Sequence, residues 1–251
     1  MKYRILVTEP IVDSVIDKLR EHGEVVVGEK GIYQEEAALI RDLEDFDALL
    51  CMLSTPLNEK VLQAAPKLKV IATHAVGFDN IDVAYAAQRN IRVANTPEVL
   101  TEACGDFAMA LLLALSRRFR EAEAYLRAGK FTGWEPLGFL GPELRGRQLG
   151  IVGMGRIGTA FGRRAKAFGM HIRYHNRKPV EAGIEKELDA GFVPDLGMLL
   201  KESDVISLNC PLTPQTHHLI DEDALQLMKE DALLINISRG AVIDEAALAE
   251  A

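Results

Sequence analysis

Leu149-Gly150-Ile151-Val152-Gly153-Met154-Gly155-Arg156-Ile157-Gly158 is the stretch that decides the fold of this chain. Its first four residues have the composition of a short buried strand. The run enters glycines spaced G-x-G-x-x-G, and helical spacing opens at Arg156–Ile157 and continues to Phe168. Strand, glycine turn and helix in that order are the setting in which a dinucleotide pyrophosphate is held. Gly153 permits the tight turn, Gly155 removes a Cβ so that pyrophosphate can approach the backbone, and Gly158 lets the helix pack close to the strand. The helix start offers free N–H groups and a partial positive charge to phosphate. A glycine-rich turn that binds nothing is the alternative, and the flanking strand and helix weigh against it.

Outward from this stretch, short β-like runs alternate with helical patterns. Before it, Arg4–Thr8, Val25–Val27, Ala48–Met52, Val70–Thr73 and Ile91–Ala94 read as buried strands, with helical spacing over Ile11–Glu21, Glu35–Leu43 and Glu59–Ala65. After it, strands are expected at Ile172–His175, Phe192–Val193, Val205–Leu208 and Leu233–Ile237. Such alternation implies parallel sheets with helices on both faces, an α/β fold. Asn95-Thr96-Pro97 breaks the first pattern, so a domain boundary falls near Thr96–Thr101. One long helix is expected from Thr101 to Ala128, followed by a Gly/Pro/aromatic arm from Gly129 to Gly141. Asp244–Ala251 reads as a helix with no C-cap and no glycine stop, the mark of a truncated protein. A naturally short chain with a frayed last helix is the alternative.

Composition bounds the function. The chain has 251 residues, 48% of them apolar, enough for two domains with a sizeable core. A net charge of −8 argues against nucleic-acid binding. Cys51, Cys104 and Cys210 fit no disulfide or zinc spacing and read as reduced thiols of a cytoplasmic protein. His22, His171 and His175 show no metal-ligand spacing. The apolar start is too short for a signal peptide, and Ala108–Leu115, bounded by Arg117 and Arg118, is too short to span a bilayer.

Two further stretches carry chemistry. NAD sites usually place an acid about 20 residues beyond the glycine loop, against the ribose 2′-OH. Here the strand ends Tyr174-His175-Asn176-Arg177-Lys178, and the next acid is Glu181. Asn176 can donate to a 2′-phosphate, and Arg177 and Lys178 can pair with it, so NADP(H) is expected to be preferred, with NAD(H) possible. A solvated basic turn is the alternative. Asn236-Ile237-Ser238-Arg239-Gly240 closes a strand at its carboxyl end, where open α/β sheets bind ligands. A guanidinium there can hold a 2-oxo acid by its carboxylate and carbonyl oxygens and polarise the carbonyl. It cannot donate a proton at neutral pH, so an acid is also needed, usually a histidine supported by a carboxylate. Standing alone, Arg239 reads equally well as structural.

Together these stretches resemble the D-isomer-specific 2-hydroxyacid dehydrogenases. Gly153–Gly158, Pro211-Leu212-Thr213-Pro214-Gln215-Thr216 and Asn236–Glu245 are similar to three signatures of that family, in its order and spacing. Ala75-Val76-Gly77-Phe78-Asp79-Asn80-Ile81-Asp82 resembles its substrate loop, and Asn95–Glu102 its hinge. The Trp134–Gly141 arm and the Asn176-Arg177 turn are most similar to the glyoxylate/hydroxypyruvate reductase branch. The resemblance implies a flavodoxin-like substrate domain over residues 1–98 and a Rossmann dinucleotide-binding domain over 99–251. It implies that Val76 and Gly77 bind the substrate carboxylate through backbone N–H groups, with Leu53 and Ser54 facing the substrate and Arg239 polarising it. Gly153, Gly155, Arg156, Ile157 and Gly158 would hold the pyrophosphate, and Asn176, Arg177 and Lys178 the adenosine ribose. Thr101, Cys210, Pro211, Thr216, Ile237 and Ser238 would line the cofactor cleft. A homodimer through the long helix and the Trp134 arm is implied as well.

One departure bears on turnover. The family's Glu and His lie downstream of the arginine motif, past Ala251. His74, His217 and His218 are the candidates to replace that His, and for each a structural or solvated role is the better reading. The expected activity is reduction of glyoxylate or hydroxypyruvate. Another D-2-hydroxyacid dehydrogenase, such as one for phosphoglycerate, and a nucleotide-binding sensor without turnover are the alternatives. The absence of Lys and Arg from His74–Asp82 weakens the phosphoglycerate reading.

Overall fold

The computed structural model describes residues 2–251. Two compact units divide the chain, the first ending at Val99 and the second running from Leu100 to Ala251.

The first unit is built from β1 (Tyr3–Val7), α1 (Asp13–Arg20), β2 (Gly23–Val27), α2 (Glu36–Asp42), β3 (Ala48–Cys51), α3 (Glu59–Gln63), β4 (Val70–Thr73), α4 (Val83–Gln88) and β5 (Arg92–Ala94). Its strands are all parallel, in the order β2-β1-β3-β4-β5. That is the flavodoxin-like order, in keeping with the fold that the family resemblance implies. Leu6, Leu49 and Ile71 of the central strands are buried beside Leu39, Leu57 and Leu62. Burying each such side chain contributes roughly 1.5–3 kcal/mol. Asn58 and Asp82 start α3 and α4 by accepting the Val61 and Tyr85 N–H groups.

The second unit opens with α5 (Thr101–Ser116) and α6 (Phe119–Arg127). Its sheet and helices follow as β6 (Gln148–Val152), α7 (Arg156–Ala167), β7 (His171–His175), α8 (Ala182–Leu188), β8 (Gly191–Phe192), α9 (Leu196–Glu202), β9 (Val205–Leu208), α10 (Glu222–Leu227), β10 (Leu233–Asn236) and α11 (Glu245–Glu250). The parallel order is β10-β9-β6-β7-β8. Counted from β6 as the first strand and read from the β8 edge, this is 3-2-1-4-5, the Rossmann order. Leu149 and Ile151 pack with Phe161, Ile172 and Tyr174 on one face, and Val152 packs with Leu199, Leu200, Ile206 and Leu208 on the other. A strand buried on both faces explains why Leu149–Val152 shows no polar alternation.

One expectation is corrected. The long helix expected from Thr101 to Ala128 is two helices, broken at Arg117 and Arg118, with Arg118 in the left-handed region at φ 49°. The returning arm packs against this break: a Cβ on Gly141 would stand 1.9 Å from the Ser116 carbonyl oxygen, so Gly141 lies close over the last turn of α5.

Both sheets are fastened in the same way at the amino end of an inner strand. Asp47, just before β3, accepts the Arg4 N–H at 3.1 Å and a Lys69 hydrogen bond at 2.8 Å. Asp204, just before β9, accepts the Gln148 N–H at 2.8 Å and hydrogen bonds from Lys229 at 2.9 Å and Arg147 at 3.2 Å. The Lys69 bond and the Arg4 N–H hold the Asp47 carboxyl below the usual carboxylate range. For Asp204 burial pushes upward, and the Gln148 N–H and Lys229 overcome it, so its carboxyl also titrates low.

Candidate active site

The glycine loop leaves β6 at the point where the strand order reverses, between β6 and β9. Open α/β sheets bind ligands outside this end of their strands. Gly153 lies at φ 92°, and a Cβ on it would fall 2.6 Å from the Cys210 backbone N. A Cβ on Gly158 would fall 2.7 Å from the Gly153 carbonyl oxygen. The protein's own packing therefore requires both glycines. Gly155 differs: its backbone is extended, at φ −86° and ψ −157°, and nothing stands within 4 Å of where a Cβ would be. An alanine would fit the protein here, so the protein's own packing does not require this glycine. No side chain caps α7, whose first residues are Arg156 and Ile157. An uncapped helix start beside an open loop suits a pyrophosphate.

At the end of β7 the Met154 N–H donates to Asn176 Oδ1 at 2.7 Å, and Asn176 Nδ2 reaches the Met154 carbonyl at 3.5 Å. The carboxamide expected to face a ribose phosphate thus braces the glycine loop. Arg177 and Lys178 are exposed, and their side chains make no hydrogen bond or ion pair among the described residues.

Cys210 follows β9, buried against Gly153, and burial pushes its thiol up. It is a neutral packing group. Pro211 begins a loop closed by Thr216, whose hydroxyl donates to the Pro211 carbonyl at 2.6 Å and accepts the Thr213 N–H at 2.8 Å.

Beyond β10, Asn236 folds the arginine motif into a turn. Its Oδ1 accepts the Ser238 N–H at 2.9 Å and the Ser238 hydroxyl at 2.8 Å, and its Nδ2 donates to the Arg239 carbonyl at 2.8 Å. Arg239 is half-buried, with Nη1 on the Ser238 carbonyl at 3.1 Å. The structure thus gathers Gly153–Gly158, Asn176, Cys210, Pro211, Ile237, Ser238 and Arg239 beyond the carboxyl ends of the second sheet. Thr101 stands apart from those strand ends in sequence, as the first residue of α5.

In the first unit, Leu53 and Ser54 lie in the turn after β3, and Val76 and Gly77 in the loop after β4. Asn80 ties these loops together, its Nδ2 donating to the Met52 carbonyl at 3.2 Å and the Thr55 carbonyl at 2.8 Å. Asn95 donates to the Val76 carbonyl at 2.8 Å. Leu53 is exposed, while the Ser54 hydroxyl donates to Glu9 at 3.4 Å. Asn80, Asn95 and Asn236 were not singled out from the sequence as site residues. Their signal is an asparagine at a loop position, where its side chain can hydrogen-bond nearby backbone.

Three histidines border these loops: His175 ends β7 and its carbonyl accepts the Gly153 N–H at 3.0 Å, His218 donates its backbone N–H to the Ala241 carbonyl at 2.8 Å, and His217 precedes it. His217 and His218 stack on each other with ring centroids 4.0 Å apart, and His218 Nδ1 lies 3.5 Å from the Asp244 carboxylate. His175 Nδ1 lies 3.0 Å from the Val193 carbonyl oxygen. No cluster of metal-ligating side chains occurs among the described residues.

Residues 109–251 match the NAD-binding domain of the D-isomer-specific 2-hydroxyacid dehydrogenases. The chain belongs to this family. A glyoxylate reductase of Korarchaeum cryptofilum is 48% identical over 252 residues, covering 100% of this chain and 75% of the relative. A crystal structure of a Thermus thermophilus protein superposes with a TM-score of 0.89 at 44% identity, covering 98% of this chain and 77% of that one. An NADPH-dependent glyoxylate/hydroxypyruvate reductase of Sinorhizobium meliloti, solved with NADP and malonate, gives a TM-score of 0.87 at 36% identity. It is matched over 100% of this chain and 75% of its own. As a member of the D-2-hydroxyacid dehydrogenases, the chain carries their Rossmann NAD-binding fold. No helix among its described residues is long and apolar enough to cross a membrane.

Proposed function

We propose that this chain reduces a small 2-oxo acid, glyoxylate or hydroxypyruvate, with NADPH favoured over NADH. The observation that carries this reading is the pairing, on one end of one sheet, of an open glycine loop with an arginine held by its own asparagine turn. When bound, the nicotinamide supplies the hydride. Arg239 grips the carboxylate and carbonyl oxygens, withdraws charge from the carbonyl and fixes its orientation. The backbone N–H groups of Val76 and Gly77 take up the carboxylate, and Leu53 and Ser54 face the substrate. Gly155 and the start of α7 receive the pyrophosphate, and Arg177 and Lys178 pair with the 2′-phosphate. Glyoxylate reductase is also the name borne by the Korarchaeum relative, which supports the substrate assignment.

In this reading the proton comes from a histidine that the family pattern places after the arginine motif, oriented by its Glu. The stacked, Asp244-facing His218 is structural in this reading. A homodimer forms through α5, α6 and the arm: Phe119, Leu126, Phe131, Trp134, Leu137 and Leu140 are all exposed there, and α6 buries no residue within its own chain. Free thiols at Cys51, Cys104 and Cys210 fit a cytoplasmic protein.

The test is NADPH oxidation with glyoxylate, run on the 251-residue chain beside one extended along the native gene. Turnover by the extended chain alone supports the downstream histidine. Comparable turnover by the short chain removes that assignment. Turnover of neither, with NADPH still bound, favours the sensor reading.

A further inference from the structure

The turn from Asn176 to Val180 joins β7 to α8, and it is tied at both ends. At its start, Asn176 is bonded to Met154 of the glycine loop. At its finish, the Val180 N–H donates to the Tyr174 hydroxyl oxygen at 3.0 Å, and that hydroxyl donates to Glu185 Oε1 of α8 at 2.5 Å. Between the two ties stand Arg177, Lys178 and Pro179, all exposed.

Tyr174 is fully buried, its ring 5.4 Å from that of Phe192. A phenylalanine would serve the core as well, since the ring does the packing and the hydroxyl must find partners to be buried at all. Here the partners are the backbone at the end of the basic turn and a carboxylate on the next helix. Burial and the Glu185 bond push the hydroxyl up to about 12, so it stays a donor to Glu185 at any working pH.

We propose that Tyr174 is a specificity-determining residue for the cofactor: its hydroxyl holds the Asn176–Val180 turn in the shape that presents Arg177 and Lys178 to a ribose 2′-phosphate. Tyr174 acts through the turn and touches no ligand. The proposal rests on the reading of Arg177 and Lys178 as the 2′-phosphate pair. Long basic side chains lose rotamer freedom when they pair, and a turn already fixed at both ends spares the backbone share of that cost. NADH lacks the 2′-phosphate and so gains nothing from Arg177 and Lys178 being presented to that group.

Binding of NADPH and of NADH to the purified chain, followed by titration calorimetry, tests this without requiring turnover. Three variants are compared with the parent: Tyr174→Phe, Glu185→Ala, and the pair Arg177→Ala with Lys178→Ala. Tyr174→Phe should raise the NADPH Kd about fivefold, the size of one lost hydrogen bond, and leave the NADH Kd within about twofold. Glu185→Ala, which strips the hydroxyl of its acceptor from a half-buried helix position, should move NADPH in the same direction. It stands in should Tyr174→Phe fold poorly. Equal weakening of both cofactors by Tyr174→Phe would make the hydroxyl merely structural and overturn the proposal. If the double variant abolishes the preference for NADPH while Tyr174→Phe binds both like the parent, the proposal fails and the phosphate reading survives. If the double variant leaves the preference unchanged, both fall.

Discussion

A glycine can be required by the protein or by its ligand, and the loop after β6 holds one, Gly155, that the protein's own packing does not require. Gly155→Ala meets open space and an allowed backbone, so its melting temperature should match the parent. Its dinucleotide Kd should rise by about tenfold or more, because the added methyl takes the room of a phosphate oxygen. Gly153→Ala combines a positive φ with a clash against Cys210 and should lose about 2 kcal/mol or more in urea unfolding. If both variants lose stability equally, the distinction is wrong. The cysteines offer a second check. Burial pushes the Cys51 thiol up to about 11 and raises that of Cys210, whereas Cys104 is half-buried. A thiol-specific chromogenic reagent at pH 8 should modify Cys104 in the native chain, with Cys51 and Cys210 reacting only after denaturation. The spacing of the glycines is legible in the sequence, but which of them the fold itself requires is not. That depends on Cys210, more than fifty residues away, arriving beside Gly153.

At the scale of elements, the central strands are legible because their apolar runs are bounded by turn residues, and the observed ends differ by only a residue or two. The short helices α4, α8, α9 and α10 were not placed from the sequence, although α3 and α11, which are no longer than these, were. The break between α5 and α6 has no local mark: Ser116-Arg117-Arg118 contains no glycine or proline, and Gly141, which packs against it, is distant in sequence. α6 also yields a prediction. Phe119 and Leu126 leave it exposed, and the arm folds back on it through the Tyr125–Phe139 edge contact at 5.3 Å. Leu126→Asp should convert a dimer to a monomer in light scattering while the circular dichroism spectrum is kept. A parent that is already monomeric at micromolar concentration would rule out this interface.

Taken as a whole, the molecule fastens each sheet with an ionised carboxylate that titrates low. A carboxyl lowered by folding stabilises fully above its unfolded value, about 3.9, and that contribution is lost as pH falls through the folded value. Asp204→Asn should therefore cost about 1–2 kcal/mol at pH 7. The gap between variant and parent should close as the pH is taken from about 5 down to 2 in urea titrations. A gap that is the same at both extremes would mean that the charge contributes nothing. The parallel α/β architecture was legible from the alternation of elements, whereas the Rossmann and flavodoxin-like folds were expected only from the family resemblance. This shared fastening was not legible, because an aspartate before a strand looks like any surface acid until Arg4 and Gln148 are seen beside it.

The opposite ends of the same sheets are braced chiefly by uncharged groups: the carboxamides of Asn80, Asn95, Asn176 and Asn236 and the hydroxyl of Thr216. Amides neither gain nor lose a proton between mild acid and mild base. The side chains that brace these loops thus add no charge of their own, although Glu9 and Asp244 stand beside them, against Ser54 and His218. The two ends can then change independently over generations. Loop residues can be exchanged to admit a bulkier oxo acid while the acid-sensitive clasp at the far end goes on closing the sheet, which makes this scaffold a forgiving one for altering substrate range.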